Sequence, residues 1–180
     1  SLTLVDGTGE RRVIGPNDGG EEFWATVGGM GLTGIITEAS FDLIPITSSL
    51  ISVDTDRVLH LDDLMSHMIA RDDEYRYSVA WIDSAHPSGR GVLTRGDHAP
   101  ADWLPPKRRA SPLAYSAKAL GTVPPVFPSG LVNPLTMRAF NEMWFRKAPK
   151  SRQGELQSIG AFFHPLDVAQ DWNRGYGPRG

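Results

Sequence analysis

Cysteine is absent from the 180 residues, and the unbroken apolar runs are only a few residues long. The first absence excludes disulfides, thiolate catalysis and a Cys-based zinc or iron–sulfur site within this stretch. The second excludes a membrane-spanning helix, which needs roughly 18–20 consecutive apolar residues. There is no large excess of one charge either, since 18 Lys and Arg stand against 21 Asp and Glu, a net charge of −3. His60, His67, His86, His98 and His164 show no paired-ligand spacing, so no metal site is expected. Nor is there an internal repeat. A 22% charged fraction and five tryptophans are ordinary for a folded domain, and a domain of this size buries about 70% of its unfolded surface. The first residue is Ser1, no basic n-region and apolar h-region follow it, Ser1 to Leu4 already reads as mid-strand, and Gly177-Pro178-Arg179-Gly180 is a turn signal. The expectation is an internal piece of a longer chain, cut at both ends.

The elements that are present alternate between strand and helix. Leu2 to Val5, Asp6-Gly7-Thr8-Gly9 and Arg11 to Ile14 read as a hairpin. Asp18 reads as the N-cap of a short helix carrying Glu21 and Glu22 in its first turn, where the helix dipole favours acids. Ile35 to Leu43 alternates as a strand that ends before Pro45. Further on, Leu50 to Val53, Tyr75 to Asp83 and Gly91 to Arg95 read as strands. Leu61, Leu64, Met65, Met68 and Ile69 fall at helical spacing. Asn133-Pro134 caps a helix through Ala148, Gly154 to His164 reads as a strand, and Pro165 to Trp172 as a short helix. The result is an α+β arrangement with a helix laid on an antiparallel sheet. Pro100 to Pro112 and Gly121 to Pro134 are long irregular segments, of the kind that is usually functional or mobile.

Gly29-Met30-Gly31-Leu32-Thr33-Gly34 matches G-x-G-x-x-G, but a dinucleotide-binding turn needs a strand before the glycines and a helix after. Here the order is reversed. Two readings stay open: a glycine-rich turn without a ligand, and a loop whose glycines let backbone approach a flat or phosphorylated ligand closely.

Phe23 to Ile36, with its Val27-Gly28-Gly29-Met30-Gly31-Leu32-Thr33-Gly34 core, resembles the closing segment of the PCMH-type FAD-binding domain in flavoenzymes of the vanillyl-alcohol-oxidase type. Tyr77 to Asp83, Val126 to Leu131, Met143 to Lys147, Phe162 to Asp167 and Trp172 to Pro178 narrow the resemblance. They are similar to segments of the oxidase components of decaprenylphosphoryl-ribose 2-epimerases, in family order over most of the chain. The resemblance implies that residues 1–46 close an FAD-binding domain and that 47–180 are part of a substrate domain. It implies FAD contacts from the main chain at Gly34, Ile35 and Ile36, beside Gly29 and Gly31. It implies a polyprenylphosphoryl sugar substrate, a partner keto-reductase and a membrane-associated location at the cell envelope. The family's catalytic Lys and Tyr lie outside this stretch, so no catalytic residue is assigned within it. A sugar-alcohol or aldonolactone oxidase on the same scaffold and a flavin-free, non-catalytic relative remain alternatives.

The resemblance places Trp81 and Val79 on a substrate pocket wall, whereas the strand alone makes Trp81 equally a sheet-face aromatic. Phe145 shares a helix with Phe140, Met143 and Trp144, where core packing is the simpler role; its family counterpart is a tyrosine. Ala161 stands where relatives carry a glutamine that reaches into the pocket. His164 is read as a structural hydrogen-bonding residue. Ser1 to Pro100 hold seven basic and sixteen acidic residues, and Ala101 to Gly180 hold eleven and five. Lys107, Arg108, Arg109, Arg146, Lys147, Lys150 and Arg152 are therefore either a solvated surface or a contact for an anionic bilayer, each worth about 1 kcal/mol there. No aromatic interleaving marks a nucleic-acid module, and none is expected as a partner. The irregular segments around Lys107 to Arg109 and Val123 to Gly130 are expected to border the substrate entrance.

Overall fold

The Asp6 turn holds its shape through one side chain. Asp6 Oδ1 accepts from the Thr8 amide at 2.8 Å, the Thr8 hydroxyl at 2.6 Å and the Glu10 amide at 3.1 Å. It joins β1 (Leu2–Val5) to β2 (Arg11–Ile14) as an antiparallel hairpin. Helix α1 (Gly20–Thr26) follows, and β3 (Ile35–Ala39) completes a sheet of order β2-β1-β3. In this computed structural model, residues 1–117, 119–124 and 130–177 are described. They form two units, Ser1–Pro45 and Ile46–Gly180, and the fold is α+β.

Two expectations for the first unit change. The cap of α1 is Gly19, without a side-chain hydrogen bond, because the Gly19 amide already donates to the Gly15 carbonyl at 2.7 Å and closes a turn past Asp18. Strand β3 stops at Ala39, paired with Leu2, and the Ser40 amide donates to the Ser1 carbonyl at 2.8 Å. Beyond it, no described strand lies alongside Phe41 to Leu43, and alternation without a partner does not make a strand.

In the second unit β4 (Leu50–Val58), β5 (Tyr77–Ile82), β6 (Gly91–His98) and β8 (Ser151–Ser158) form an antiparallel sheet of order β5-β6-β4-β8. Helix α2 (Leu61–Arg71) packs on one face. It does so with less of its apolar stripe than the spacing suggests: Leu64 is buried, while Ile69 is 82% exposed. The sheet beneath is partly ionic. Arg95, 1% exposed, donates to Asp56 at 2.7 Å and to the His67 carbonyl at 3.4 Å, and its guanidinium lies 5.1 Å from the Tyr75 ring centre.

On the other face, Ile51, Val53 and Phe162 form the core, with Tyr77, Val79, Ile159 and Phe163 against them. Phe162 and Phe163 belong to α5 (Ile159–Phe163), so Gly154 to His164 is not one strand. The Ser158 hydroxyl accepts from the Ala161 amide at 3.3 Å and starts the helix, a cap at the junction of a polar strand segment and the apolar residues Ile159 to Phe163. Helix α3 (Pro106–Arg109) interrupts the first irregular segment, and β7 (Gly121–Thr122) pairs in parallel with β9 (Ala169–Gln170). That short strand, followed by a 3-10 turn at Trp172–Tyr176, replaces the helix expected from Pro165 to Trp172. Helix α4 (Pro134–Lys147) has the expected Asn133 cap, completed reciprocally by Thr136.

Gly34 yields the first testable consequence. Its φ is +146°, and a Cβ there would run into the Val5 carbonyl oxygen. Gly34→Val is expected to cost the first unit about 1–3 kcal/mol or more. Urea unfolding followed by Trp24 fluorescence would measure it.

Candidate functional site

Alternation along three strands aims one set of side chains at the sheet face opposite α2. Register pairs Thr94 with both Thr55 and Val79, and Val92 with Trp81. Helix α5 covers the Ile51–Val53 end of this face. The last turn of α4 lies toward the other end, where Arg57 Nη1 donates to the Phe145 carbonyl at 3.4 Å. Between them is a cavity of about 640 Å³, floored by Thr55, Val79, Trp81, Val92 and Thr94. Trp144, Lys147, Ala148 and Pro149 contribute from α4 and the turn after it, and Ala161, Phe162, Pro165 and Val168 from α5 and beyond, with Leu120 completing that wall.

The lining from β8 is polar. Arg152 pairs with Glu155 at 3.0 Å, and Gln157 Nε2 donates to the other Glu155 oxygen at 3.1 Å. Thr94 Oγ1 is turned back onto the Val79 carbonyl at 3.1 Å. The arrangement suits a ligand with a large apolar body, a flat face for Trp81, and a few polar groups read along β8.

Of the four residues selected from sequence, Val79, Trp81 and Ala161 line this cavity, Ala161 from a helix instead of a strand. Phe145 does not. It is 6% exposed, with the guanidinium groups of Arg90 and Arg57 at 4.5 and 5.1 Å from its ring centre. Lys147 and Arg152 were legible only as members of a basic set, and Glu155 and Gln157 carried no signal beyond strand alternation.

Behind Phe145 lies a second cluster. Arg90 donates to Asp83 at 3.0 Å and pairs with Glu142 at 2.7 Å; Asn141 donates to Asp83 at 2.7 Å, and Glu142 also pairs with Arg146 at 2.5 Å. Burial pushes the Asp83 carboxyl up, but the hydrogen bonds from Arg90 and Asn141 outweigh it and hold the group below its ordinary value. Glu142 is held down chiefly by Arg90. This cluster ties α4 to the β5–β6 hairpin and so positions the Trp144 and Lys147 wall.

In the first unit, Gly29 and Gly34 are required by the chain itself: Cβ atoms would meet the Ala25 and Val5 carbonyl oxygens. At Gly31, with φ +78°, the nearest atom is the Gly34 oxygen at 3.8 Å. Strand β3 pairs with β1 on one side, and no described strand takes its other edge. Among the described residues that edge leaves main-chain amide and carbonyl groups without a strand partner, with Ile35 71% and Ile36 45% exposed beside them.

His164 is exposed at the end of α5, where its amide donates to the Gly160 carbonyl at 2.9 Å. Val126, Phe127, Pro128 and Ser129 of the resemblance, and Pro178, lie outside the described residues, as does most of the Val123 to Gly130 segment. Among the described residues no group of three or more His, Asp or Glu is placed to hold a metal ion, and no helix is long and apolar enough to cross a membrane.

No protein-family model matches the chain. It is 35% identical over 167 residues, 86% of its length and 45% of the relative's, to an uncharacterized protein in the mprA 5′ region of Streptomyces coelicolor. It is 39% identical over 185 aligned residues, 100% of its length, to decaprenylphosphoryl-beta-D-ribose oxidase of Mycolicibacterium smegmatis, of which it spans 40%. The chain thus covers less than half of these relatives, and its likeness to the ribose oxidase runs from end to end.

Proposed function

We propose that the chain is part of an FAD-dependent oxidoreductase that oxidises the C2 hydroxyl of a polyprenylphosphoryl ribose to the keto sugar, the first half of an epimerisation to arabinose for cell-wall arabinan. Residues 1–46 would close the FAD-binding domain, with the main chain at Gly34, Ile35 and Ile36 and the turn at Gly29 and Gly31 against the cofactor. Residues 47–180 would belong to the substrate domain. The observation that carries this reading is that Val79, Trp81 and Ala161, chosen from sequence by likeness to such oxidases, lie in the wall of one cavity. The end-to-end similarity to the ribose oxidase supports it.

FAD, when bound, supplies the hydride acceptor. The residues of this chain bind and orient. Trp81 offers a flat apolar face, Phe162 and Val92 keep water from the floor, and the Arg152–Glu155–Gln157 row reads polar groups of the sugar. A partner keto-reductase would consume the product. Contact with an anionic bilayer would come from Lys107 and Arg108, both exposed on α3. Reversing the charge of Lys107, Arg108 and Arg109 in the intact protein is expected to lower its co-flotation with anionic liposomes several-fold, and unchanged flotation would remove the bilayer from the proposal.

The deciding test is the visible spectrum of the intact protein, which should show a flavin band that bleaches anaerobically on addition of polyprenylphosphoryl ribose. Absence of the band refutes the reading, and bleaching by polyols alone would reassign the protein as a sugar-alcohol oxidase. Trp81→Ala is expected to raise KM for the lipid-linked sugar about tenfold or more while leaving the flavin spectrum unchanged. Steady-state kinetics beside the spectrum would check it.

A further inference from the structure

We infer that Asp54, on the sheet face away from the cavity, is a positioning residue for the polar row inside it: Asp54 holds a bulge in β8 that turns Arg152, in place of Gln153, into the cavity. The inference rests on reading this cavity as the substrate pocket, but not on any redox step. Side chains along a strand alternate between faces, so residues three apart belong to opposite ones. Arg152 and Glu155 are three apart, yet both line the cavity and pair at 3.0 Å. The register explains this. Val53 is opposite Glu155 and Thr55 is opposite Arg152, so β8 takes three steps where β4 takes two. The extra residue is accommodated at Gly154, whose φ of +66° is the left-handed conformation of a glycine bulge. In an unbroken ladder Thr55 would meet Gln153, and Arg152 would fall on the α2 side.

Asp54 fixes the bulge from behind. It is opposite Arg95 in the register, on the face covered by α2. Its Oδ1 accepts from the Gly154 amide at 2.8 Å, a charge-assisted bond, and its Oδ2 accepts from the Tyr75 hydroxyl at 2.8 Å. The Tyr75 oxygen in turn accepts from Arg71 Nη2 at 3.0 Å, at the end of α2. On the other side of the bulge, the Ser151 hydroxyl donates to Asp56 at 2.8 Å, and the buried Arg95 holds Asp56 at 2.7 Å. Carboxylates on one face of the sheet therefore set which β8 side chains stand on the other. Gln157, donating to Glu155 at 3.1 Å, completes the row from the regular part of the strand.

Two measurements on the intact protein test this. Hydrogen exchange, read by mass spectrometry on peptides spanning Ser151 to Ser158, should show the Gly154 amide exchanging at least tenfold faster in Asp54→Ala, with protection kept in Asp54→Asn, which retains the oxygen acceptor. In steady-state kinetics Asp54→Ala should raise KM for the lipid-linked sugar about tenfold with kcat within twofold, and Asp54→Asn should restore most of the loss. In an Arg152→Ala background the same Asp54→Ala change should add less than twofold, because the group it positions is already gone. Tyr75→Phe, which frees Asp54 from α2, should give a smaller KM rise of the same kind and tests the inference if Asp54→Ala does not fold. Unchanged Gly154 exchange in Asp54→Ala, an equal KM rise with and without Arg152, or Asp54→Asn as damaging as Asp54→Ala would each overturn it. A Gly154 amide protected through Asp54, beside a KM that Arg152→Ala leaves unmoved, would keep the bulge assignment and remove this cavity as the substrate pocket.

Discussion

Replacing Asp83 with alanine is expected to destabilise the Ile46–Gly180 unit by about 3–5 kcal/mol, the range for breaking a buried ion pair from one side. The Asp83 side chain is 3% exposed and Arg90 11% exposed, so water reaches neither freely. Asp83 accepts from Arg90 Nε at 3.1 Å and Nη2 at 3.0 Å, from Asn141 at 2.7 Å and from the Ala85 amide at 3.3 Å. Removing it strands the Asn141 amide and leaves Arg90 with Glu142 alone. Chemical denaturation at neutral pH would measure the loss, and a change under about 1 kcal/mol would show the cluster to be incidental.

The same cluster sets an acid limit. Asp83 and Glu142 are both held below their ordinary values in the folded chain, so the unfolded chain takes up protons first as pH falls. Their contribution is complete above the ordinary carboxylate range, about pH 4–5, and is lost as pH drops through the depressed native values. Stability plotted against pH should therefore fall on the acid side, and more shallowly in Asp83→Ala than in the unaltered protein. Equal slopes would assign the acid loss to other carboxyls.

Phe145→Ala should be as damaging for a different reason. Its ring is 6% exposed, with two guanidinium groups at 4.5 and 5.1 Å from its centre. Emptying that site costs about 3–5 kcal/mol through lost transfer energy and the cavity left behind. Because Phe145 is not in the wall of the proposed substrate cavity, the affinity of the folded fraction for the lipid-linked sugar should stay within about twofold. Trp81→Ala should give the opposite pattern, a small stability change with a large binding loss. Paired denaturation and calorimetry on the two variants would separate a packing role from a binding role. A large affinity loss in Phe145→Ala with little loss of stability would place its ring in the binding site.

The sequence alone determined whatever depends on neighbours within a few residues. The Asp6 turn, the Asn133 cap, the face shared by Val79 and Trp81, and the strand following Gly34 all follow from local chemistry and a period of two. Only tertiary structure decided the rest. β8 pairs with β4, placing Glu155 opposite Val53 and so bringing the polar row to the cavity from about 100 residues away. No local signal encodes a pairing of that separation. The ring of Phe145 turns toward Arg57 and Arg90, whereas the neighbouring Trp144 and Lys147 reach the cavity. Helical spacing names the faces of α4 but not what each face meets. Ala161 reached its expected wall through a Ser158-capped helix, because a serine following an alternating strand segment caps a turn only when packing places the chain there. Residue pattern therefore settled which side chains share a face, and long-range pairing settled which faces enclose a site.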